Sequence, residues 1–263
     1  MFFMDYHHHT NNSHDSKAIM EDVCRNAIDR GIKEICFTEH FSLNPLATTY
    51  NHLVLDNYLA EIKMNQHQFQ DQLTIKAGIE ICEPHQLINE YKEVLEPLEL
   101  DFILGSVHNI HNMKLRTFMA DKEKYEGYYT YFSELYEMVA TADIDIIAHL
   151  DLMKRYALST HGNYKFQDHY DQLVEILEKA IARNIGIEVN TSGLRGDLQE
   201  TLPTFSVLQL YKQLGGEILT IGSDSHAAET VGSGVREAYE MAKQAGFKYI
   251  FCYEKRKPEA ISI

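Results

Sequence analysis

Cysteine is scarce: Cys24, Cys36, Cys82 and Cys252 are far apart and form no C-x-x-C pair, which excludes a disulfide scaffold or a thiolate cluster. These thiols are expected as core filler in a reduced, cytoplasmic protein. Only five prolines and no low-complexity stretch leave nothing that reads as a linker, so one domain over residues 1–263 is expected. No apolar run nears the roughly 18 residues of a membrane helix, and the opening Met1 to Asp5 carries a charge where a signal peptide needs its apolar stretch. Basic residues are also few. Twenty-four Lys and Arg against 39 Asp and Glu give a formal charge of -15, which repels nucleic acid and anionic membrane surfaces at long range. A phosphorylated metabolite would be repelled too, unless compact positive charge such as bound metal ions overrides that field at short range. Oligomeric state leaves no mark in the sequence.

What is present is a rhythm. Short β-branched or aromatic runs recur at Phe2 to Tyr6, Glu34 to Thr38, Thr74 to Ile79, Asp101 to Val107, Asp143 to Ala148, Gly186 to Asn190, Glu217 to Gly222 and Tyr249 to Tyr253. Helical periodicity separates them. Ile19, Val23, Ala27 and Ile28 form one stripe, with Asp15 or Ser16 to cap it and Gly31 to stop it; Leu173, Ile176, Leu177, Ala180 and Ile181 form another, ended by Gly186. Strand ends roughly 30 to 40 residues apart match the unit of a (β/α) barrel. Seven units fit. The eighth run, trailed by Lys255-Arg256-Lys257-Pro258, reads as an edge strand and tail. The tyrosine-rich stretch from Met113 to Met138 reads either as a surface helix with a half-buried aromatic face or as a lid over the barrel mouth.

Histidines and acids stand at the ends of these runs: His7 and His9, His40, Glu80, His108, His149, and Asp224 with His226. Residues at the C-terminal ends of barrel strands point into one shared crater. Strand alternation puts His7 and His9 on one side and His8 on the other, a ready two-pronged ligand. So many donors exceed what one tetrahedral ion with an open position needs; they suit two or three divalent ions sharing bridging oxygens, with Glu80 able to bridge. Nitrogen and oxygen donors without thiolate point to Zn, Mn or Fe. Asp15 could equally cap the first helix or join the ligands. Arg155 and Arg195 follow later strands and could grip phosphate or pair with surface acids, with Lys114 and Arg116 as weaker candidates. His111 and His161 follow closely enough to line a pocket. Concentrated positive charge suits phosphate-monoester hydrolysis, among the slowest uncatalysed reactions.

Taken in order, D-Y-H-H-H-T with Asp15 following, T-E-H at His40, G-I-E at Glu80, G-S-V-H at His108, A-H-L-D leading to Arg155, N-T-S-G-L-R at Arg195 and G-S-D-S-H at His226 resemble the PHP superfamily, named for polymerase and histidinol phosphatase. The resemblance spans essentially the full length and is greatest to the stand-alone histidinol-phosphate phosphatases. It implies a distorted (β/α)7 TIM-like barrel of α/β class and a trinuclear site in which Asp15 joins the ligands. It also implies hydrolysis of L-histidinol phosphate to L-histidinol and inorganic phosphate, within histidine biosynthesis, by a metal-bridging hydroxide. Arg155 and Arg195 would then neutralise the phosphoryl oxygens, with Asp224, a nearby histidine or a metal-bound water supplying the proton. Competing expectations are another superfamily phosphoesterase, such as a protein-tyrosine phosphatase or a nuclease, a barrel amidohydrolase, and a metal-binding protein without activity. The acidic surface speaks against a nuclease; His40, Glu80 and His226 exceed what an amidohydrolase needs.

Overall fold

The computed structural model describes residues 2–263. Seven parallel strands lie in sequence order in one sheet: β1 (Phe3–His8), β2 (Ile32–Phe41), β3 (Thr74–Cys82), β4 (Phe102–Ser106), β5 (Ile146–Ile147), β6 (Gly186–Asn190) and β7 (Leu219–Gly222). A long helix follows each: α1 (Met20–Asp29), α2 (Leu55–Phe69), α3 (Ile88–Leu95), α4 (Lys124–Thr141), α5 (Tyr170–Ala182), α6 (Phe205–Gln213) and α7 (Val235–Gln244). Because helices cover the outside and side chains fill the inside, the strands are covered on both faces; every residue of β6 is buried, Glu188 and Asn190 included. This is the expected barrel of seven strand-helix units.

Closure is incomplete. Between β1 and the last strand there is one parallel bridge, His8 with Ser225, beside hydrogen bonds from Asp224 N to His7 O (2.7 Å) and from His9 N to Ser225 O (2.9 Å). Lower in the seam a side chain replaces the missing ladder. The buried Asp5 carboxylate accepts from Ser223 N (2.7 Å), Ser223 Oγ (2.6 Å) and Gly232 N (2.8 Å).

The eighth run is not a stave. Strands β8 (Tyr249–Glu254) and β9 (Lys257–Ser262) form a separate antiparallel hairpin across the N-terminal ends of the barrel strands. Tyr253 packs on Phe102 with ring centroids 4.9 Å apart, and its backbone N–H donates to Tyr6 Oη at 2.8 Å. Arg256 grips Asp143 with both terminal nitrogens (2.8 and 2.9 Å) and reaches Asp145 at 3.1 Å. The hairpin therefore plugs the bottom of the barrel.

Three local expectations are corrected. Helix α1 starts only at Met20 and has no side-chain cap, so neither Asp15 nor Ser16 caps it; Ser16 Oγ instead donates to His9 O (3.1 Å) and His226 O (3.0 Å), folding the loop inward. Helix α5 stops at Ala182 ahead of the left-handed Asn184 (φ 56°), and Gly186 opens β6 rather than ending the helix. Residues 113–138 are not one helix: a two-residue strand and the short helix Leu115–Ala120 precede α4, in which Tyr128 and Tyr131 are fully buried while Tyr125 and Tyr129 are exposed.

Candidate metal centre

All nine histidine and carboxylate side chains singled out in the sequence gather at the C-terminal mouth of the barrel. His7 and His9 turn their Nε2 atoms to within 3.0 Å of one another, whereas the His8 ring packs against Phe37 behind the strand. Glu80 Oε2 lies 3.5 Å from each of those two nitrogens, and Asp224 Oδ1 lies 3.7 and 3.6 Å from them. Donors about 2.0–2.2 Å from one tetrahedral ion stand about 3.3 Å apart, which is the spacing of this set. The second Glu80 oxygen, Oε1, faces a different pair: His149 Nε2 at 2.9 Å and His108 Nε2 at 3.4 Å, themselves 3.3 Å apart. A third set has Asp15 Oδ2 3.5 Å from His40 Nε2 and 3.4 Å from His226 Nε2. Asp15 thus sits among these side chains, where the folded loop of residues 9–19 presents it.

The donor chemistry fits cations. Glu80 is fully buried, and its Oε2 is approached by three imidazole nitrogens, His40 Nδ1 at 2.7 Å and the Nε2 atoms of His7 and His9 at 3.5 Å. Converging lone pairs of this kind, taken out of water, are costly unless positive charge lies among them. Burial alone would push the Glu80 carboxyl up, but His40, His108 and His7 hold it well below the usual carboxylate range. Asp224 is held down against burial in the same way by His7, His9 and Arg155. Burial drives His108 down to about 3 against the pull of Glu80, and with His40 and His226 it drives His9 well below its ordinary value. A neutral imidazole is the form that binds metal. His7 moves upward because Glu188, Asp224 and Glu80 outweigh its burial. Two donors, His149 (φ 24°) and Asp224 (φ 48°), stand on left-handed backbone, a conformation that costs a non-glycine residue on the order of 1–3 kcal/mol.

A cavity of about 380 Å³ opens onto His40, His108, His149 and Asp224, with Lys114, Arg116, Arg155 and Tyr156 in its wall. Arg155 is bonded to Ser192 Oγ and lies 3.5 Å from Asp224 Oδ2; Arg195 donates to the Asp224 backbone O at 3.0 Å, behind the wall. His111 and His161 do not line the cavity: one packs on Phe118, the other meets Lys122 O. His14 lines it instead.

The sequence reading missed Glu188, whose Oε1 lies 2.7 Å from His7 Nδ1. Its signal was present, since a carboxylate between Ile187 and Val189 of a buried strand needs a partner. Also missed were the buried Glu39, which takes the Ser13 hydroxyl at 2.5 Å, and Cys82, whose Sγ lies 3.3 Å from His108 Nδ1 in the cavity wall rather than acting as core filler alone.

A mouth ringed by histidines and acids on a seven-strand barrel agrees with comparison to known families: residues 5–192 match the PHP domain, and the chain belongs to that family. Over 268 aligned residues it is 30% identical to the histidinol-phosphatase of Lactococcus lactis subsp. lactis, covering 97% of this chain and 95% of that protein. It is 32% identical to a probable histidinol-phosphatase of Clostridium acetobutylicum, with 96% and 97% covered. The crystal structure of the Lactococcus lactis histidinol phosphate phosphatase, complexed with Zn, L-histidinol and phosphate, matches with a TM-score of 0.89 at 28% identity over 98% of each chain.

Proposed function

We infer that this chain is a metal-dependent phosphoric monoester hydrolase that converts L-histidinol phosphate to L-histidinol and inorganic phosphate, serving histidine biosynthesis. The observation that carries the chemistry is Glu80, which turns one oxygen to each of two donor sets. The substrate rests on the full-length relatives named for it and on the neighbour crystallised with L-histidinol and phosphate.

In this reading His7, His9, Asp15, His40, Glu80, His108, His149, Asp224 and His226 hold two or three divalent ions, Zn, Mn or Fe. When bound, such ions supply Lewis acidity toward phosphoryl oxygens and toward water. The chain's own residues do the rest. Lys114, Arg116 and Arg155 line the cavity with positive charge, drawing a phosphate into an otherwise acidic molecule. Ser192 orients the Arg155 guanidinium, whose fork matches phosphoryl oxygens, and Arg195 fixes the backbone of Asp224. Asp224 serves as a ligand, and Asp224 or a neighbouring histidine such as His226 passes the proton given up by the attacking water on to the departing alcohol. The cavity has the volume of a small-molecule site. Among the described residues no helix is long and apolar enough to cross a membrane, and the four cysteines are free and buried; a reducing cytoplasm is the compartment we assign.

Phosphate release from L-histidinol phosphate and from a phosphotyrosine peptide, by protein loaded with Zn or Mn, tests this. The expected kcat/KM favours histidinol phosphate by at least about a hundredfold. Release no faster than in a chelated control would overturn it, and preference for the peptide would move the assignment to another phosphoesterase of the family.

A further inference from the structure

Glu188 is almost wholly buried in the middle of β6, yet neither of its oxygens reaches the cavity. Both are spent on residues of the centre. Oε1 lies 2.7 Å from His7 Nδ1, and Oε2 accepts the backbone N–H of His149 at 2.8 Å and Asn190 Nδ2–H at 3.1 Å. A carboxylate behind Nδ1 keeps the proton on that nitrogen, so that the Nε2 lone pair faces His9, Glu80 and Asp224. At His149 the same carboxylate takes the N–H of a residue with φ 24°, so it holds a strained strand end in place. Room for this contact is reserved on the neighbouring strand: a Cβ at Gly222 would collide with both Glu188 Oε1 and His7 Cβ. His9 is backed differently, through Ser13 Oγ (3.2 Å) and from there to Glu39 (2.5 Å).

We propose that Glu188 is a positioning residue that presents His7 and His149, one from each of the two donor sets sharing Glu80, and that Gly222 lacks a side chain to allow it. This rests on the metal reading above. The test measures metal uptake, not turnover. Apo protein is titrated with Zn against a chromophoric chelator, and bound Zn is counted after gel filtration. Glu188→Gln has a single acceptor oxygen where Glu188 offers one to His7 and the other to His149 and Asn190, so one side must face its NH2 group. It should weaken Zn binding about 10- to 100-fold, the cost of losing an outer partner of a ligand. Gly222→Ala should do the same by crowding. In the Zn-loaded native protein a slowly exchanging, downfield His7 Nδ1–H proton resonance is expected, and it should be lost in Glu188→Gln; a merely structural role would not move it. Glu188→Asp, which keeps the charge but loses the reach, is the second variant should Gln fail to fold, with the same loss expected. Native Zn affinity and stoichiometry in a folded Glu188 variant would overturn the proposal. Failure of the native chain to take up Zn would instead overturn the metal reading on which it stands.

Discussion

Glu80 and His149 occupy neighbouring places in the cluster but carry different burdens. Glu80 contributes to two donor sets, His149 to one. Glu80→Ala is therefore expected to lower the Zn bound per chain by more than one ion, and His149→Ala by one, as counted by elemental analysis. Both should lose at least the roughly 10²–10³-fold in kcat that one lost oxyanion donor costs, with the far-ultraviolet circular dichroism of the barrel unchanged. Equal metal loss in the two variants would mean that Glu80 does not bridge. At this scale the histidines were legible because a histidine at the end of an apolar run has few reasons to be there, and eight donors repeated the pattern. Asp15 was ambiguous because an acid before a helix is what a cap looks like. Only the long-range bonds of Ser16 to His9 and His226, which fold the loop, decide that it faces the cluster. Glu188 stood out as an acid in a buried strand, but its partners His7 and His149 are distant in sequence, and Glu39 pairs with Thr10 and Ser13 of the loop after β1, which no local pattern shows.

Among the elements, β6 was read to the residue because Gly186 opens it and the turn-forming Thr191-Ser192-Gly193 closes it around the β-branched Ile187 and Val189, whereas β1 and β2 ran on into polar residues that belong to the centre. The final hairpin was recognised as no stave, from its proline and basic tail, but its role as a plug depends on Arg256 meeting Asp143 and Asp145, which no local pattern reveals. Arg256→Met should destabilise the fold by about 1–3 kcal/mol, mostly by leaving the buried Asp145 without its charged partner. Asp143 is 76% exposed, and its share is at most about 1 kcal/mol after solvent screening. Arg256 holds the Asp143 carboxyl below its ordinary value, so its stabilisation is present above the normal aspartate range and disappears as pH falls through the depressed value. Burial moves Asp145 the other way and partly offsets this between its ordinary and raised values. Urea unfolding at pH 7 and pH 3 should show the gap between native and Arg256→Met narrowing in acid; a gap that widens would contradict the pairing.

Across the whole molecule, the centre spans the seam at which the sheet closes on itself. His7 and His9 belong to the first strand and Asp224 to the end of the last, and the strands between them meet through a single bridge. Ions held there would join the two ends of the sheet as well as serve chemistry. Metal at about a hundred times its dissociation constant should stabilise the fold by about 2.7 kcal/mol. For a chain of this size that is a rise in melting temperature of roughly 5–10 °C over the chelated protein. A melting temperature indifferent to chelator would mean that the seam holds without them. The seven-unit rhythm was visible in the sequence, but the imperfect closure was not, because it turns on side chains such as Asp5 standing in for backbone pairs.

The plugged floor leaves the barrel with one doorway. Whatever enters past Lys114 and Arg116 must depart by the same route, and of the two products phosphate is the one matched in charge by Lys114, Arg116 and Arg155 of the cavity wall. The alcohol should therefore leave first and inorganic phosphate last, occupying the place the next substrate needs. Added phosphate should accordingly raise the apparent KM while leaving kcat untouched, and a fall in kcat instead would mean that phosphate is not the last to go.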